Sequence, residues 1–334
     1  SFGVQMSSAA RLVSSNRRQA LSRAKLALYM DSSVVVINKP PGFVCQFNRK
    51  AAEEGWTNSL MVKLHVSDLK LDLDLNDDLH HAHRLDKGTT GCLVLARSKD
   101  SARKLFQQFS SHEIEKTYLA LVRGGSASFS EQAGTIRGIL YSYDGRVSTK
   151  DSGGPGEGKR AIAETDWEVI ASSPIVPLTL VKLTPYTGFK HQLRVQMAKC
   201  MKAPILGDTV HAKAKLSPKI TDVVKVPENK MYLHASQLSF HDCRTADNKK
   251  RVRITVGAPL PTYFSRLCEQ IKIPLMLDMS KGGLWVNGQR ALTEMIPEKQ
   301  CQPEVGQGIP EQTHIEQSDP QHILEQLDAR WLAN

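Results

Sequence analysis

The run His83-Arg84-Leu85-Asp86-Lys87-Gly88-Thr89-Thr90-Gly91, with Cys92-Leu93-Val94-Leu95-Ala96 behind it, constrains this chain more than any other stretch. Locally it reads as strand, loop, strand. The second strand carries almost no polar side chain before Arg97, so burial on both faces is expected. The loop sets a carboxylate, Asp86, beside a guanidinium, Arg84, then supplies two glycines and two threonines. Glycine admits backbone conformations that other residues avoid, and threonine hydroxyls can satisfy loop backbone groups. A charged loop on the end of a buried strand presents a reactive group from a rigid scaffold. Taken alone, an Arg-x-Asp loop reads more readily as a solvated ion pair of little energetic value.

Charge narrows the partner class. The formal net charge is +10, which favours polyanions. Nucleic acid is expected rather than an anionic membrane, because no amphipathic basic helix stands out beyond the N-terminus. No apolar run approaches the roughly 20 residues that a bilayer-spanning helix needs. The six cysteines are Cys45, Cys92, Cys200, Cys243, Cys268 and Cys301; they are widely spaced and form no Cys-x-x-Cys pair. That argues against a zinc site or a disulfide framework and for free thiols in a reducing compartment. His80, His81 and His83 crowd together before the loop, and His81 and His83 would share a strand face. No fourth ligand is evident, so no metal is expected.

Residues 1–30 are rich in Arg and Ser and hold no acidic residue before Asp31. That is the composition of an organelle transit segment, mitochondrial by expectation, with a basic RNA-contacting arm as the alternative. Val34-Val35-Val36-Ile37 reads as a β-branched strand, and Asn38-Lys39-Pro40-Pro41-Gly42 then turns the chain. Lys70–Leu75 alternates as a strand would, although its charges suit a loop equally. Ala102, Leu105, Phe106 and Phe109 fall on one face of a helix over Lys99–Phe109, capped by Ser98 or Asp100. Strands are expected at Lys116–Gly124, Ala161–Ile170, Leu178–Leu183, Met231–Phe240 and Arg251–Val256. Helices are expected at about Phe189–Met201 and at Thr262–Ile271. The Gly-rich stretch Asp151–Gly158 lacks a lysine-serine ending, so it is no phosphate cradle. Val286-Asn287-Gly288 reads as a hairpin turn. Residues 300–320 are glutamine-rich and expected to be disordered, with a short helix around Ile323, Leu324 and Leu327.

Five pieces recur in order. They are the Asp86 loop; Lys116-x-Tyr118-x-Ala120-x-Val122-x-Gly124; Thr187-Gly188-Phe189-Lys190-His191-Gln192-Leu193-Arg194-Val195; Pro204-Ile205-Leu206-Gly207-Asp208; and Leu233-His234-Ala235. Together with Asn38-Lys39-Pro40-Pro41-Gly42, this series resembles the RluA-type RNA pseudouridine synthases over roughly Val34 to Val256. Thr90 stands where the family's signature usually has serine, and keeps the hydroxyl. The family's Gly-Arg-x-His is here Gly188-Phe189-Lys190-His191, so the basic residue has moved one place while Arg194 stays in register.

The resemblance implies an α+β protein with the pseudouridine synthase fold: a long, mixed, mainly antiparallel sheet flanked by helices, with a central active-site cleft. It implies a catalytic domain over 31–290, between the basic segment 1–30 and a largely disordered tail over 291–334. The implied reaction detaches uracil from ribose C1′ at N1, turns it and rejoins it through C5. Nothing is oxidised or hydrolysed overall, so no cofactor is expected, and the partner is structured rRNA or tRNA, bound by a monomer. By resemblance Asp86 acts at C1′, Tyr118 lies against the uracil, and Arg194 opposes the carboxylate's charge. Arg84 fills the space vacated by the base, Leu193 walls the pocket, Lys190 reaches an RNA phosphate, and Thr89 and His83 belong to the loop, His83 as its brace. The competing readings are a catalytically silent RNA-binding or RNA-chaperone protein of the same fold, and a metal-dependent RNA hydrolase built on the three histidines. Mitochondrial localisation is expected, with cytoplasm or nucleus as the alternative.

Overall fold

Apolar, β-branched stretches become the strands that matter most. The computed structural model describes residues 26–45, 67, 69–71, 73–143, 146–150, 159–244, 251–291 and 319–332. The strands are β1 (Ala27–Met30), β2 (Val34–Lys39), β3 (His80–His81), β4 (Thr90–Ala96), β5 (Glu115–Arg123), β6 (Ala133–Tyr143), β7 (Arg146–Ser148), β8 (Lys159–Ser172), β9 (Leu178–Pro185), β10 (Leu233–His241), β11 (Arg253–Gly257), β12 (Gly283–Val286), β13 (Gln289–Arg290) and β14 (Arg330–Trp331). They join one sheet in the order β14-β1-β2-β4-β10-β5-β9-β8-β6-β7, with β3 on β4 and β11-β12-β13 branching from β10. Its pairings are antiparallel except β4 with β10, where Thr90 faces His234 and Gly91 faces Ala235. This is the mixed, mainly antiparallel sheet that the sequence implied. β4 is buried along its whole length, as its apolar run demanded.

The parallel junction has a steric condition. Gly91 has φ +107°, and a Cβ there would lie 2.1 Å from the carbonyl oxygen of Ala235. Only glycine lets β4 leave the loop this close to β10.

Helix α1 (Lys99–Ser110) follows β4 and is capped by Ser98, whose hydroxyl accepts from the Ser101 amide at 3.1 Å. Leu105 is fully buried, while Phe106 is 64% exposed, contrary to the apolar face read from the sequence. The buried face is centred on Ser101, Leu105 and Gln108 instead. Gln108 occupies it by exchanging two hydrogen bonds with the backbone of His241.

The second expected helix is shorter and irregular. Gly188 and Phe189 are irregular and Lys190 and His191 form a turn; His191 takes the left-handed conformation (φ 54°), and α2 runs only from Gln192 to Val195 before a π turn over Gln196–Cys200. Side-chain amides explain the break. Gln192 accepts from Thr187 Oγ1 and the Phe189 amide, and donates to Glu164 O and Thr165 Oγ1. Gln196 accepts from Thr165 Oγ1 at 2.7 Å. These bonds fasten one side of the helix to β8, and Arg194, two residues on from Gln192, points elsewhere.

Lys70–Leu75 forms no strand where it is described: residues 69–71 make a helical turn and 73–74 a turn, with Leu69 and Leu75 buried. Asn287 (φ 49°) and Gly288 (φ 84°) make the tight hairpin between β12 and β13. Residues 319–332, inside the expected tail, pack on the core. Helix α3 (Pro320–Gln326), capped by Asp319, buries Ile323, Leu324 and Leu327, and β14 pairs with β1. Residues 1–25 lie outside the described residues, as does nearly all of the 300–320 run.

Replacing Gly91 with alanine is expected to destabilise the protein by about 2–4 kcal/mol, through the clash with Ala235 and the positive φ. Urea unfolding measures it; an unchanged midpoint would mean that the two strands are not held at this separation.

Candidate active site

The loop that carries Asp86 is tied down on every side. Leu85 is buried in the core, and the Thr89 amide donates to the Asp86 carbonyl at 3.0 Å, closing the turn. Thr90 Oγ1 lies 2.8 Å from Nδ1 of His234, whose Nε2 lies 3.1 Å from the Ala258 carbonyl. A carbonyl only accepts, so Nε2 carries the proton and the threonine hydroxyl donates to Nδ1. Burial holds the pKa of His234 down to about 4, so the ring stays neutral.

Beneath the loop is a lysine that solvent does not reach. Lys39 donates to the carbonyls of Pro40 (3.0 Å), Phe43 (3.1 Å) and Lys87 (3.4 Å), and Gly42 N adds a bond to Lys87 O. The turn after β2 and the Asp86 loop therefore share one ammonium, whose pKa burial lowers to about 8. His83 braces the other side. Its Nε2 accepts from the Val94 amide at 3.0 Å, and its ring stacks on Phe109 at 4.7 Å. Burial pushes its pKa down to about 3, which keeps the acceptor nitrogen unprotonated.

Asp86 meets Arg194, which also holds Asp208. Arg194 Nη1 lies 3.0 Å from Asp86 Oδ2, while its Nε and Nη2 grip the two oxygens of Asp208 at 2.9 and 2.8 Å. Asp208 is 2% exposed and also accepts from the amides of Val210 and His211. Burial opposes its charge, but the Arg194 hydrogen bonds, the guanidinium charge and the two amides outweigh burial and hold its pKa down to about 2. His191 Nε2 stands 3.7 Å from the same Asp86 oxygen, and its Nδ1 lies 3.0 Å from His211 Nε2.

Tyr118 arrives from β5. Ala235 of β10 pairs with Gly91 on one side and with Tyr118 on the other, so the tyrosine and the loop are separated by one strand. Burial, reinforced by the charge of Asp86, raises the phenol pKa well above its usual value. Asp86, Tyr118, His191, Leu193, Arg194 and Phe106 line a cavity of about 340 Å³. A second cavity, about 640 Å³, opens on the other side of Asp86 and shares Arg84, His191 and Arg194 with the first.

The sequence-derived set thus converges with one exception. Asp86, Tyr118, Arg194, Arg84, Leu193, His83 and Thr89 all border the first cavity, whereas Lys190 is exposed and lines neither cavity. Thr89 is 2% exposed and Leu193 7%, so both serve chiefly as wall. Sequence reading assigned no role to Asp208, Lys39, Gln192 or His211. Asp208 had a signal: Gly207 before it has φ +79°, and its absent Cβ would lie 1.9 Å from Lys230 O. A carboxylate placed by an obligatory glycine is positioned, not incidental.

Residues 33–199 match the protein family described as RNA pseudouridylate synthase. The chain is 30% identical to tRNA pseudouridine synthase C of Haemophilus ducreyi over 252 residues, 73% of this chain and 94% of that one. It is 33% identical to ribosomal large subunit pseudouridine synthase D of Borreliella burgdorferi over 189 residues, 56% of this chain and 54% of that one. Among solved structures, human RNA Pseudouridylate Synthase Domain Containing 4 aligns with a TM-score of 0.59 at 25% identity, over 79% of this chain and 99% of that one. The chain belongs to the RluA-type RNA pseudouridine synthase family and is an RNA pseudouridine synthase.

Two histidines whose charged forms the fold disfavours make stability depend on pH. His83 and His234 have folded pKa values of about 3 and about 4, against an ordinary 6.5. Below pH 6.5 the unfolded chain therefore binds protons that the folded chain refuses, and stability falls as pH drops towards 4. Asp208, with its pKa of about 2, adds a further loss only below about pH 4. Urea unfolding at pH 7 and pH 5 should show the first loss; equal stability at both would contradict these neutral rings.

Proposed function

We propose that this enzyme isomerises uridine within structured tRNA or rRNA, with Asp86 as the group that acts at ribose C1′, and that it does so in mitochondria. The observation that carries the reading is a carboxylate at the mouth of two cavities, hydrogen-bonded at 3.0 Å to a buried arginine. The relatives named for tRNA and for the large ribosomal subunit support the substrate class. The Arg-rich, acid-free composition of residues 1–30 supports the compartment.

The division of labour follows from chemistry. Breaking the N1–C1′ bond leaves positive charge on the sugar and negative charge on the departing uracil. A carboxylate can bond to C1′ or stabilise its charge, as in glycoside chemistry. When the base excludes water from Asp86, the Arg194 guanidinium keeps the carboxylate's charge compensated. Tyr118 offers a flat face for the uracil, held between Leu193 and the loop. A uridine inside folded RNA must leave its stack to reach this depth. Arg84, exposed on the loop, fills the gap that the uridine leaves, because a guanidinium stacks and hydrogen-bonds at once. Phe106 and Phe189, both exposed at the cavity rim, add aromatic surface for flanking bases.

Carbodiimide treatment followed by reverse transcription maps pseudouridine as strand stops. In cells with the native protein, with none, and with Asp86→Ala, a stop present only in the first would identify target and catalytic group together. Stops that persist in all three would refute activity on those RNAs. Purified Arg194→Lys is expected to lose about 10²-fold or more in kcat, since an ammonium cannot hold Asp208 with two bonds and reach Asp86 with a third. Full activity in that variant would count against a role for the guanidinium.

A further inference from the structure

The reaction leaves one proton to be moved, and no group named so far moves it. After C5 of uracil bonds to C1′, C5 still carries its hydrogen. That proton must leave so that the C5=C6 double bond can re-form, and N1, freed from the sugar, must gain one. The exchange balances without any other reactant: one C–H bond breaks, one N–H bond forms. It needs a neutral base beside Asp86 with a route for the proton onwards.

We propose that His191 is that base and that His211 is its relay, an assignment that rests on the reading of Asp86 given above. His191 lines both cavities, and its Nε2 faces Asp86 Oδ2 at 3.7 Å. That separation is too long for a hydrogen bond, so the carboxylate, an acceptor only, does not hold a proton on Nε2. On the ring's other side, Nδ1 lies 3.0 Å from Nε2 of His211. With the proton on Nδ1, His191 donates to His211 and offers Nε2 to the cavity as an acceptor. Taking the C5 proton at Nε2 then lets the Nδ1 proton pass to His211. His211 is half-buried beside Asp208, whose negative charge steadies the transient imidazolium. The proton returned to N1 restores the balance.

The backbone supports the assignment. His191 holds a left-handed conformation, uncommon outside glycine, and it does so at the N-terminus of the short helix that carries Arg194. Strain kept at a cavity wall is a reason to look for a function. The groups facing His191 are Asp86, Arg194, His211 and Lys190. Burial lowers its pKa to about 4; Asp86 pulls upwards, and the other three push down with burial. The ring is therefore unprotonated at neutral pH. A weak base suffices, because C5 of the adduct sits next to the C4 carbonyl and its hydrogen is acidic.

The test uses the full chain and the RNA identified by the carbodiimide map, transcribed with uridine carrying deuterium or hydrogen at C5. His191→Gln is expected to lower kcat by about 10²–10⁴-fold with little change in KM, and to raise the deuterium isotope effect above that of the native enzyme. His211→Phe removes only the relay. It is expected to lower kcat less and to raise the isotope effect in the same direction, so the proposal stays testable should His191→Gln fail to fold. Native kcat in His191→Gln would overturn the proposal, as would reduced rates with unaltered isotope effects in both variants. Asp86→Asn separates the two readings: if it stays active, the role of Asp86 fails first; if it is dead while His191→Gln is fully active, only the relay fails.

Discussion

One guanidinium holds two carboxylates in the middle of this molecule. Arg194 spends two nitrogens on Asp208 and a third on Asp86, and it is almost fully buried while doing so. Asp208 is fixed in turn by two backbone amides, so the direction of the guanidinium is settled before any substrate arrives. The position of Asp86 is thus inherited from a residue that lines neither cavity. Removing the guanidinium would leave the buried Asp208 carboxylate without its cation, a defect that typically costs about 3–5 kcal/mol. A carboxylate fixed in advance by this network favours positive charge as it develops, which is what C1′ acquires when its base departs in the proposed reaction.

The sheet supplies the remaining alignment. Ala235 touches Gly91 on one side and Tyr118 on the other, so three strands converge at the place where chemistry is proposed. The parallel pairing of β4 with β10 lets the loop before β4 and the start of β10 lie at the same end. An antiparallel arrangement would have sent them to opposite ends. Loop position is then controlled from below by the buried Lys39 and from the side by the half-buried His83, each bonded to backbone.

Much of this was legible in the chain. The β-branched run at Val34, the apolar run at Cys92 and the register of Tyr118 belong to periodic patterns, and such patterns state the local structure directly. Asp86, Tyr118 and Arg194 were recognised because the motifs carrying them keep order and spacing. What escaped depended on contacts between distant segments. The helix expected over Phe189–Met201 broke because Gln192 and Gln196 bind β8, which no local periodicity reveals. Phe106 fitted the apolar face of its helix, yet Gln108 took the buried place by bonding to His241. Lys39 and Asp208 stood within quoted motifs and His211 in none, yet the importance of all three lies in whom they meet. The pairing of β14 with β1 joins residues about 300 positions apart.

Asp86 stands where two cavities adjoin, with Arg84, His191 and Arg194 bordering both. A blind pocket suits a chain end or a free nucleoside, because nothing has to continue past the reacting unit. An internal unit of a polymer has covalent neighbours in both directions, and each needs an exit. A carboxylate with open space on either side meets that demand: the polymer can run across the site without being cut or threaded from its end. The same openness lets the product depart sideways with its strand intact. The arrangement thus selects for position within a chain before any base or sequence is read.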